Sequence, residues 1–120
     1  MKTTTSYNVQ IWCGLKIGYE VSGREHSMQE VFKLCQDYVN KEKECVTITP
    51  TSFVYTDGFE NGVVVGFISY PRFAKNRLII RKRAIDLAQI LMDKLGQNRV
   101  TVTTPDESIM LEKEQREIGT

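Results

Sequence analysis

The first part of the chain alternates hydrophobic and polar residues with a period of two. Every odd position from Tyr7 to Val21 is hydrophobic, and the even positions between them are polar or glycine, apart from Trp12. Side chains alternate between the two faces of a β-strand, so this spacing places all the hydrophobic ones on one face. The segment therefore predicts either a long, half-buried strand or a hairpin that bends near Gly14 or Gly18.

Trp12 is a large ring on the otherwise hydrophilic face of this strand. Such a ring is typical of an interface or of a residue that stacks on a ligand. A strand of this length also runs past its own sheet, which favours pairing with a second copy of the chain. We therefore predict a homo-oligomer with an interface at Trp12, and we expect Val54 and Val64 on the same face.

Two other stretches show the spacing of amphipathic helices. Ser27 and Glu30 form a capping-box pattern that opens the first helix, and Gly96 suits the C-cap of the second. We predict that both apolar stripes are buried, including Phe32 and Leu87. The stripe of the first helix consists of Met28, Val31, Phe32, Cys35, Tyr38 and Val39, and that of the second of Ile80, Ala84, Leu87, Ala88, Leu91 and Leu95.

Further strands are predicted between and after the helices. The segment from Val46 to Tyr55 is predicted to be an edge strand, interrupted or bulged at Pro50. The turn dipeptides Asp57-Gly58 and Asn61-Gly62 are expected to bracket a hairpin tip before a central strand at 63–70. A strand at 100–103 and a short one at 109–111 follow the second helix.

The order of these elements is β-α-β-β-α-β. It predicts an α+β protein in which two helices pack on one face of a mainly antiparallel sheet. The ferredoxin-like sandwich fits this order best, and the tautomerase-like fold has nearly the same order of elements. We expect a single domain over residues 1–111, followed by a charged tail over 112–120 that frays.

Composition limits the classes of partner. The chain has 120 residues, with 16 basic and 15 acidic residues and a formal net charge of +1. This balance gives no global field that would attract nucleic acid or an anionic membrane. Three cysteines without a CxxC pair indicate buried, reduced thiols. No signal peptide and no apolar run of about 18 residues is present, so we expect a cytoplasmic protein without a membrane partner.

The sequence contains no recognisable catalytic motif. The sole histidine, His26, stands directly before the helix cap, and no metal-ligand, phosphate-loop or nucleophile spacing occurs. A tautomerase would need a proline after the initiator methionine, where this chain has Lys2. We therefore predict no catalytic residue, no metal ligand and no cofactor. Four carboxylates are interpreted as turn residues rather than as acids or bases: Asp57, Glu60, Asp106 and Glu107.

A basic segment is the strongest candidate for a binding site. Residues 72–83 contain six basic side chains and no acidic one, at the junction of a strand end and a helix start. Backbone N–H groups at a helix N-terminus favour anions, and an aromatic ring there can stack on a base. We predict a site for a small anionic, nucleotide-like ligand at Arg72, Phe73, Asn76 and Arg77. The alternative is a plain solvated basic face.

Three runs in the chain resemble small proteins carried by phages and prophages. They are TPTSFVYTDG at 49–58, GFISYPRF at 66–73 and NRVTVTTPDESIML at 98–111. The family that they resemble is the Thoeris anti-defence sponges, which are oligomers that sequester cyclic nucleotide-derived immune signals without cleaving them. The resemblance implies a non-enzymatic, oligomeric protein that binds a nucleotide-derived ligand.

Three functions follow from these observations. The leading hypothesis is a phage or prophage protein that sequesters a small anionic nucleotide-like ligand without chemistry. The second is a ferredoxin-like or tautomerase-like enzyme that uses an unrecognised loop acid. The third is a nucleic-acid or protein interaction module that uses the basic second helix. Nucleic acid is disfavoured because the acidic tail, with Glu112, Glu114 and Glu117, would repel a polyanion.

Overall fold

The protein is an α+β sandwich with one five-stranded sheet. A computed structural model describes residues 1–3, 6–18, 24–68 and 76–113. The sheet has the order β2-β3-β1-β4-β5, and every pairing in it is antiparallel. Within the described residues the elements are β1 (Val9–Gly14), α1 (Met28–Glu42), β2 (Val46–Tyr55), β3 (Gly58–Phe67), α2 (Arg77–Lys94), β4 (Arg99–Thr103) and β5 (Ser108–Glu112).

This architecture confirms the predicted fold class. The first four strands and two helices form the ferredoxin-like βαββαβ arrangement, and β5 extends the sheet beside β4. The short strand expected at 109–111 is the middle of β5. Its first residue, Ser108, pairs with Thr103, and its last residue, Glu112, pairs with Arg99.

The core lies between the sheet and the two helices, and β1 is at its centre. Val9, Ile11 and Cys13 have no exposed surface, and Tyr7 and Leu15 on either side are also buried. Strands β3 and β4 flank β1 and turn their own buried valines to the same core. The odd-numbered face that the alternation predicted is therefore the helix-covered face of the sheet.

The helix signals in the sequence are confirmed. Glu30 N donates to Ser27 Oγ over 3.2 Å, and Ser27 N donates to Glu30 Oε1 over 3.3 Å, which forms the predicted capping box. Gly96 follows α2 with a φ of 61°, a conformation that glycine adopts without strain. All six predicted stripe positions of α2 are buried. The stripe of α1 is centred on Val31, Cys35 and Tyr38.

The predicted burial of Phe32 is wrong, and Met28 and Val39 of the same stripe are only half-buried. The side chain of Phe32 is 55 % exposed. Successive residues of an α-helix are about 100° apart, so Phe32 projects well to the side of Val31, which is fully buried. The stripe that the sequence predicts is wider than the face that α1 buries.

The β2–β3 hairpin differs from its prediction in two ways. The tight turn lies at Thr56 and Asp57, because Tyr55 pairs with Gly58. Asp57 supplies the positive φ of 60° that this turn requires. The expected second turn at Asn61-Gly62 is wrong, because both residues lie inside β3. Strand β2 forms the predicted sheet edge, but it continues through Pro50 in unbroken register instead of forming a bulge.

The two valines expected beside Trp12 lie on opposite faces. Val64 pairs directly with Trp12, so the two share the face that the helices leave open. Val54 pairs with Phe59, and its side chain lies on the opposite face of β2 from that of its neighbour Phe53. Val54 is therefore on the face of the sheet that packs against the helices, at a point that the helices do not cover. Its side chain is 81 % exposed. Its predicted position is therefore wrong.

The first strand is shorter than the hydrophobic alternation. β1 ends at Gly14, although Leu15 N still donates to the carbonyl oxygen of Asn61 over 3.1 Å, so the expected bend is not at Gly14. The chain then turns back, because Lys16 forms an antiparallel bridge with Glu25, and Gly18 has a φ of 68°. The rest of the alternating segment, at 19–23, lies outside the described residues. In the part of the chain that the structure describes, neither helix is long and apolar enough to cross a membrane.

Two substitutions test the assignment of the core. Leu87 is fully buried, so Leu87→Ala should lower the free energy of unfolding by about 2–5 kcal/mol. Phe32→Ala should lower it by less than about 1 kcal/mol, because the ring is half exposed. Urea denaturation followed by circular dichroism measures both values. Equal losses in the two variants would contradict the orientation of α1.

Candidate functional site

The open face of the sheet carries two glycines that are directly opposite each other. Gly14 of β1 pairs with Gly62 of β3, so neither residue places a side chain of its own on the open face at this point. Gly62 is required, because a Cβ atom there would collide with the ring of Phe53 and lie 2.7 Å from the carbonyl oxygen of Cys13. Two aromatic side chains, two polar side chains and these glycines form what we call the Gly14 site: Trp12, Gly14, Phe53, Glu60, Gly62 and Gln97.

The rings of Trp12 and Phe53 form one side of the Gly14 site. Their centroids are 6.5 Å apart with an interplanar angle of 61°, which is an edge-to-face arrangement. Phe53 belongs to β2 and reaches Trp12 across Gly62 of β3. The indole Nε1 of Trp12 donates to Thr103 Oγ1 over 2.9 Å, and this hydrogen bond fixes the orientation of the indole ring.

Glu60 provides a carboxylate beside these rings. It pairs with Phe53 across the β2–β3 hairpin, so the two side chains lie next to each other on the open face. A Cβ atom on Gly14 would be 3.0 Å from Glu60 Oε1, so the carboxylate reaches over that glycine. The interpretation of Glu60 as a turn residue is wrong, because it lies inside β3. Within residues 6–18, 24–68 and 76–113, no side chain or backbone donor pairs with this carboxylate.

Gln97 approaches Gly14 from the connection between α2 and β4. Its Nε2 donates to the carbonyl oxygens of Lys16 and Leu95, each over 2.9 Å. Both neighbours are acceptors, so the amide NH₂ must face them and the Oε1 must face away. A Cβ atom on Gly14 would lie 3.1 Å from that Oε1. Gln97 therefore presents an acceptor to the same place as Glu60.

This arrangement suits a ligand that brings hydrogen-bond donors or positive charge. Two acceptors converge over Gly14, and the adjacent rings can stack on a base or face a cation. The sequence analysis missed Gly14, Glu60, Phe53 and Gln97, because only the strand register brings these separate segments together. The one signal in the sequence was Trp12 among polar positions.

Cys13 lies beneath the Gly14 site on the core side. Burial, with smaller contributions from Cys35 and Glu60, raises the pKa of Cys13 to about 12. Burial likewise raises the pKa of Cys35 to about 11. Burial therefore favours the protonated form of both thiols at neutral pH, and a protonated thiol is a poor nucleophile. The predicted burial of Cys13 and Cys35 is confirmed, whereas Cys45 is exposed.

Two residues of the predicted anion site, Asn76 and Arg77, lie at the opposite end of α2. Arg72 and Phe73 are outside the described residues. Asn76 is the N-cap of α2, and its Oδ1 accepts a hydrogen bond from Leu78 N over 2.7 Å. The Arg77 guanidinium lies 4.8 Å from the centroid of the Tyr7 ring and 3.6 Å from Asp106. An 18-residue helix, about 27 Å long, separates this end from the Gly14 site.

Four of the five basic residues of α2 lie beside acidic side chains. Arg81 pairs with Glu107 over 2.5 Å, and Lys82 pairs with Asp86 over 3.5 Å. Arg83 pairs with Glu44, and Arg77 is within reach of Asp106. A surface that binds nucleic acid needs a continuous row of basic side chains that are available to the phosphates and not paired with acidic residues. The interaction module that uses the second helix is therefore disfavoured.

His26 takes part in the cap of α1. Its Nδ1 is 2.7 Å from Glu30 Oε2. This contact, together with hydrogen bonds from Ser27, holds the pKa of Glu30 below its ordinary value. Among the residues that the structure describes, no group of three or more histidine, cysteine or acidic side chains could hold a metal ion.

Two solved structures share this fold along nearly the whole chain. A phage SAM lyase in the apo state has a TM-score of 0.78 at 17 % identity, and 92 % of each chain is covered. A phage SAM lyase in complex with S-methyl-5'-thioadenosine has a TM-score of 0.80 at 15 % identity, covering 98 % of this chain and 97 % of the other. No family model and no curated protein matches the sequence.

These matches change the functional expectation. Both similar structures are phage proteins, which supports the phage relationship that the sequence resemblance implied. Both are enzymes, and neither is a sponge, so the expectation of a non-enzymatic sequestering protein is contradicted. The enzyme alternative is the better supported one.

Thiol labelling tests the burial of the cysteines beneath the Gly14 site. The chain has three cysteines, of which only Cys45 is exposed. Ellman's reagent at pH 8 should therefore modify one thiol per native chain rapidly and all three after denaturation. Rapid reaction of two or three thiols in the native protein would contradict the position of Cys13 behind the sheet.

Proposed function

We propose that the protein is an enzyme that cleaves S-adenosylmethionine (SAM) and releases S-methyl-5'-thioadenosine. The observation that carries this proposal is the pair of acceptors, Glu60 and Gln97, converging over Gly14 beside the Trp12–Phe53 rings. SAM offers what such a site can bind, namely an adenine ring, ribose hydroxyls, an ammonium group and a sulfonium cation. The shared fold of two phage SAM lyases, one holding this product, supports the same substrate.

The reaction breaks one carbon–sulfur bond of the sulfonium. The electrons of the bond between sulfur and the aminobutyryl carbon move to sulfur, which becomes the neutral thioether of the product. The aminobutyryl fragment then completes its valence either by losing a neighbouring proton or by closing onto its own carboxylate. In this proposal Glu60 holds the cationic end of the substrate or accepts that proton, and Gln97 positions the ligand through its Oε1.

Activity measurements on three variants test the Gly14 site. Glu60→Gln removes the charge, and Gly14→Ala puts a methyl group within 3.0–3.1 Å of both acceptor oxygens. Each should reduce the rate of S-methyl-5'-thioadenosine formation from SAM by about tenfold to a hundredfold or more. Asp37→Asn, which removes a carboxylate from the exposed side of α1, should leave the rate unchanged. Liquid chromatography with mass spectrometry quantifies the product against SAM incubated without protein.

The predicted site at Arg72, Phe73, Asn76 and Arg77 remains a second proposal for the position of the adenosyl ligand. Arg72→Ala and Phe73→Ala, measured in the same assay, distinguish the two places. If these variants lose activity and Glu60→Gln does not, the ligand lies at the helix N-terminus. Absence of product with the parent protein, under conditions in which it is folded, would contradict the enzyme proposal itself.

We also propose that the chain forms a homo-oligomer through the open face that carries Trp12. That face bears Trp12, Val64 and Phe53, and the helices do not cover it. Size-exclusion chromatography with light scattering should show at least a dimer of the 13.8 kDa chain at micromolar concentration. Trp12→Ala should shift the distribution toward smaller species. A monomer across the whole concentration range would contradict this proposal.

A further inference from the structure

We infer that the Gly14 site distinguishes its ligands by charge, so that a cationic sulfonium binds more tightly than the neutral thioether that remains after cleavage. This inference rests on the proposed function, because it concerns the recognition of SAM at that site. It assigns to Glu60, Trp12 and Phe53 a role in selecting substrate over product.

The Gly14 site has an unbalanced negative charge. Within the described residues, no ammonium or guanidinium pairs with the Glu60 carboxylate. Lys16, two residues after Gly14, contributes its carbonyl oxygen to Gln97. Gln97 itself offers only an oxygen, because both hydrogens of its amide are used. The site therefore carries a negative charge that a cationic ligand would compensate.

A sulfonium differs from other cationic groups in how a protein can recognise it. Its positive charge is permanent and carries no hydrogen, so it cannot be recognised by a hydrogen bond. Nearby negative charge, the oxygens of neutral dipoles and the faces of aromatic rings stabilise it. Glu60 and Phe53 are directly opposite on paired strands, and the Trp12 ring is 6.5 Å from that of Phe53. The site brings both kinds of group to one place on the sheet.

Recognition of the positive charge would also favour release of the product. Cleavage converts the sulfonium to a thioether while the adenosyl group is unchanged. The contacts to adenine and ribose are then the same for substrate and product, and the attraction between Glu60 and the charge disappears. A site built in this way loses affinity for its ligand as a direct result of the reaction.

Calorimetry with two adenosyl ligands that resist this cleavage tests the inference. Sinefungin carries a protonated amine near the position of the sulfonium, and S-adenosylhomocysteine carries a neutral thioether there. Both have the same nucleoside and the same amino-acid end. The parent protein should bind sinefungin about tenfold or more tightly than S-adenosylhomocysteine. In Glu60→Gln the ratio should fall to about threefold or less, and in Asp37→Asn it should stay at the parent value.

A salt titration on the parent protein gives a second measurement that does not depend on any variant folding. Raising the salt concentration should weaken the binding of sinefungin more than that of S-adenosylhomocysteine. Equal affinities in the parent protein, or a preference that survives Glu60→Gln, would overturn the inference and leave the proposed function standing. If neither ligand binds the folded parent protein, this inference is overturned, and the formation of S-methyl-5'-thioadenosine from SAM decides the proposed function separately.

Discussion

The fold depends on the complete burial of one face of β1. Val9, Ile11 and Cys13 are fully enclosed between the neighbouring strands and the helices, so the register of β1 cannot slip by one residue. Such a slip would turn Trp12 into the core and the core residues into solvent. By fixing the hydrophobic face, the core also fixes what the other face carries. It places Gly14 against Gly62 and Trp12 against Val64.

Most of the fold could be predicted from the sequence because its signals are periodic or strictly local. The alternation in β1, the capping box of α1 and the stripe of α2 each depend on residues a few positions apart. The predictions that were wrong concern residues whose positions are determined by tertiary contacts. The Asn61-Gly62 pair has the composition of a turn, yet β1 and β2 hold it inside β3. Phe32 has the spacing of a core residue, yet the face that α1 buries is narrower than the stripe.

The Gly14 site was much harder to predict than the fold. Glu60 and Gln97 are 37 positions apart in the sequence, and neither belongs to a recognisable motif. They meet at Gly14 because a hairpin and a helix end on the same side of β1. The basic segment at 72–83 predicted a binding site because its charges are adjacent in sequence. In the folded chain, much of that charge is neutralised by acidic residues that come from other elements.

The edge-to-face contact between Trp12 and Phe53 has a practical consequence for studying this protein. Trp12 is the single tryptophan of the chain, and its indole lies among the groups of the Gly14 site. Its fluorescence emission therefore reports on that site and on no other tryptophan. A purine that stacks on the ring would change the intensity, and loss of the hydrogen bond to Thr103 would change the emission maximum. The protein thus contains an intrinsic optical probe, and ligand occupancy can be followed without a label.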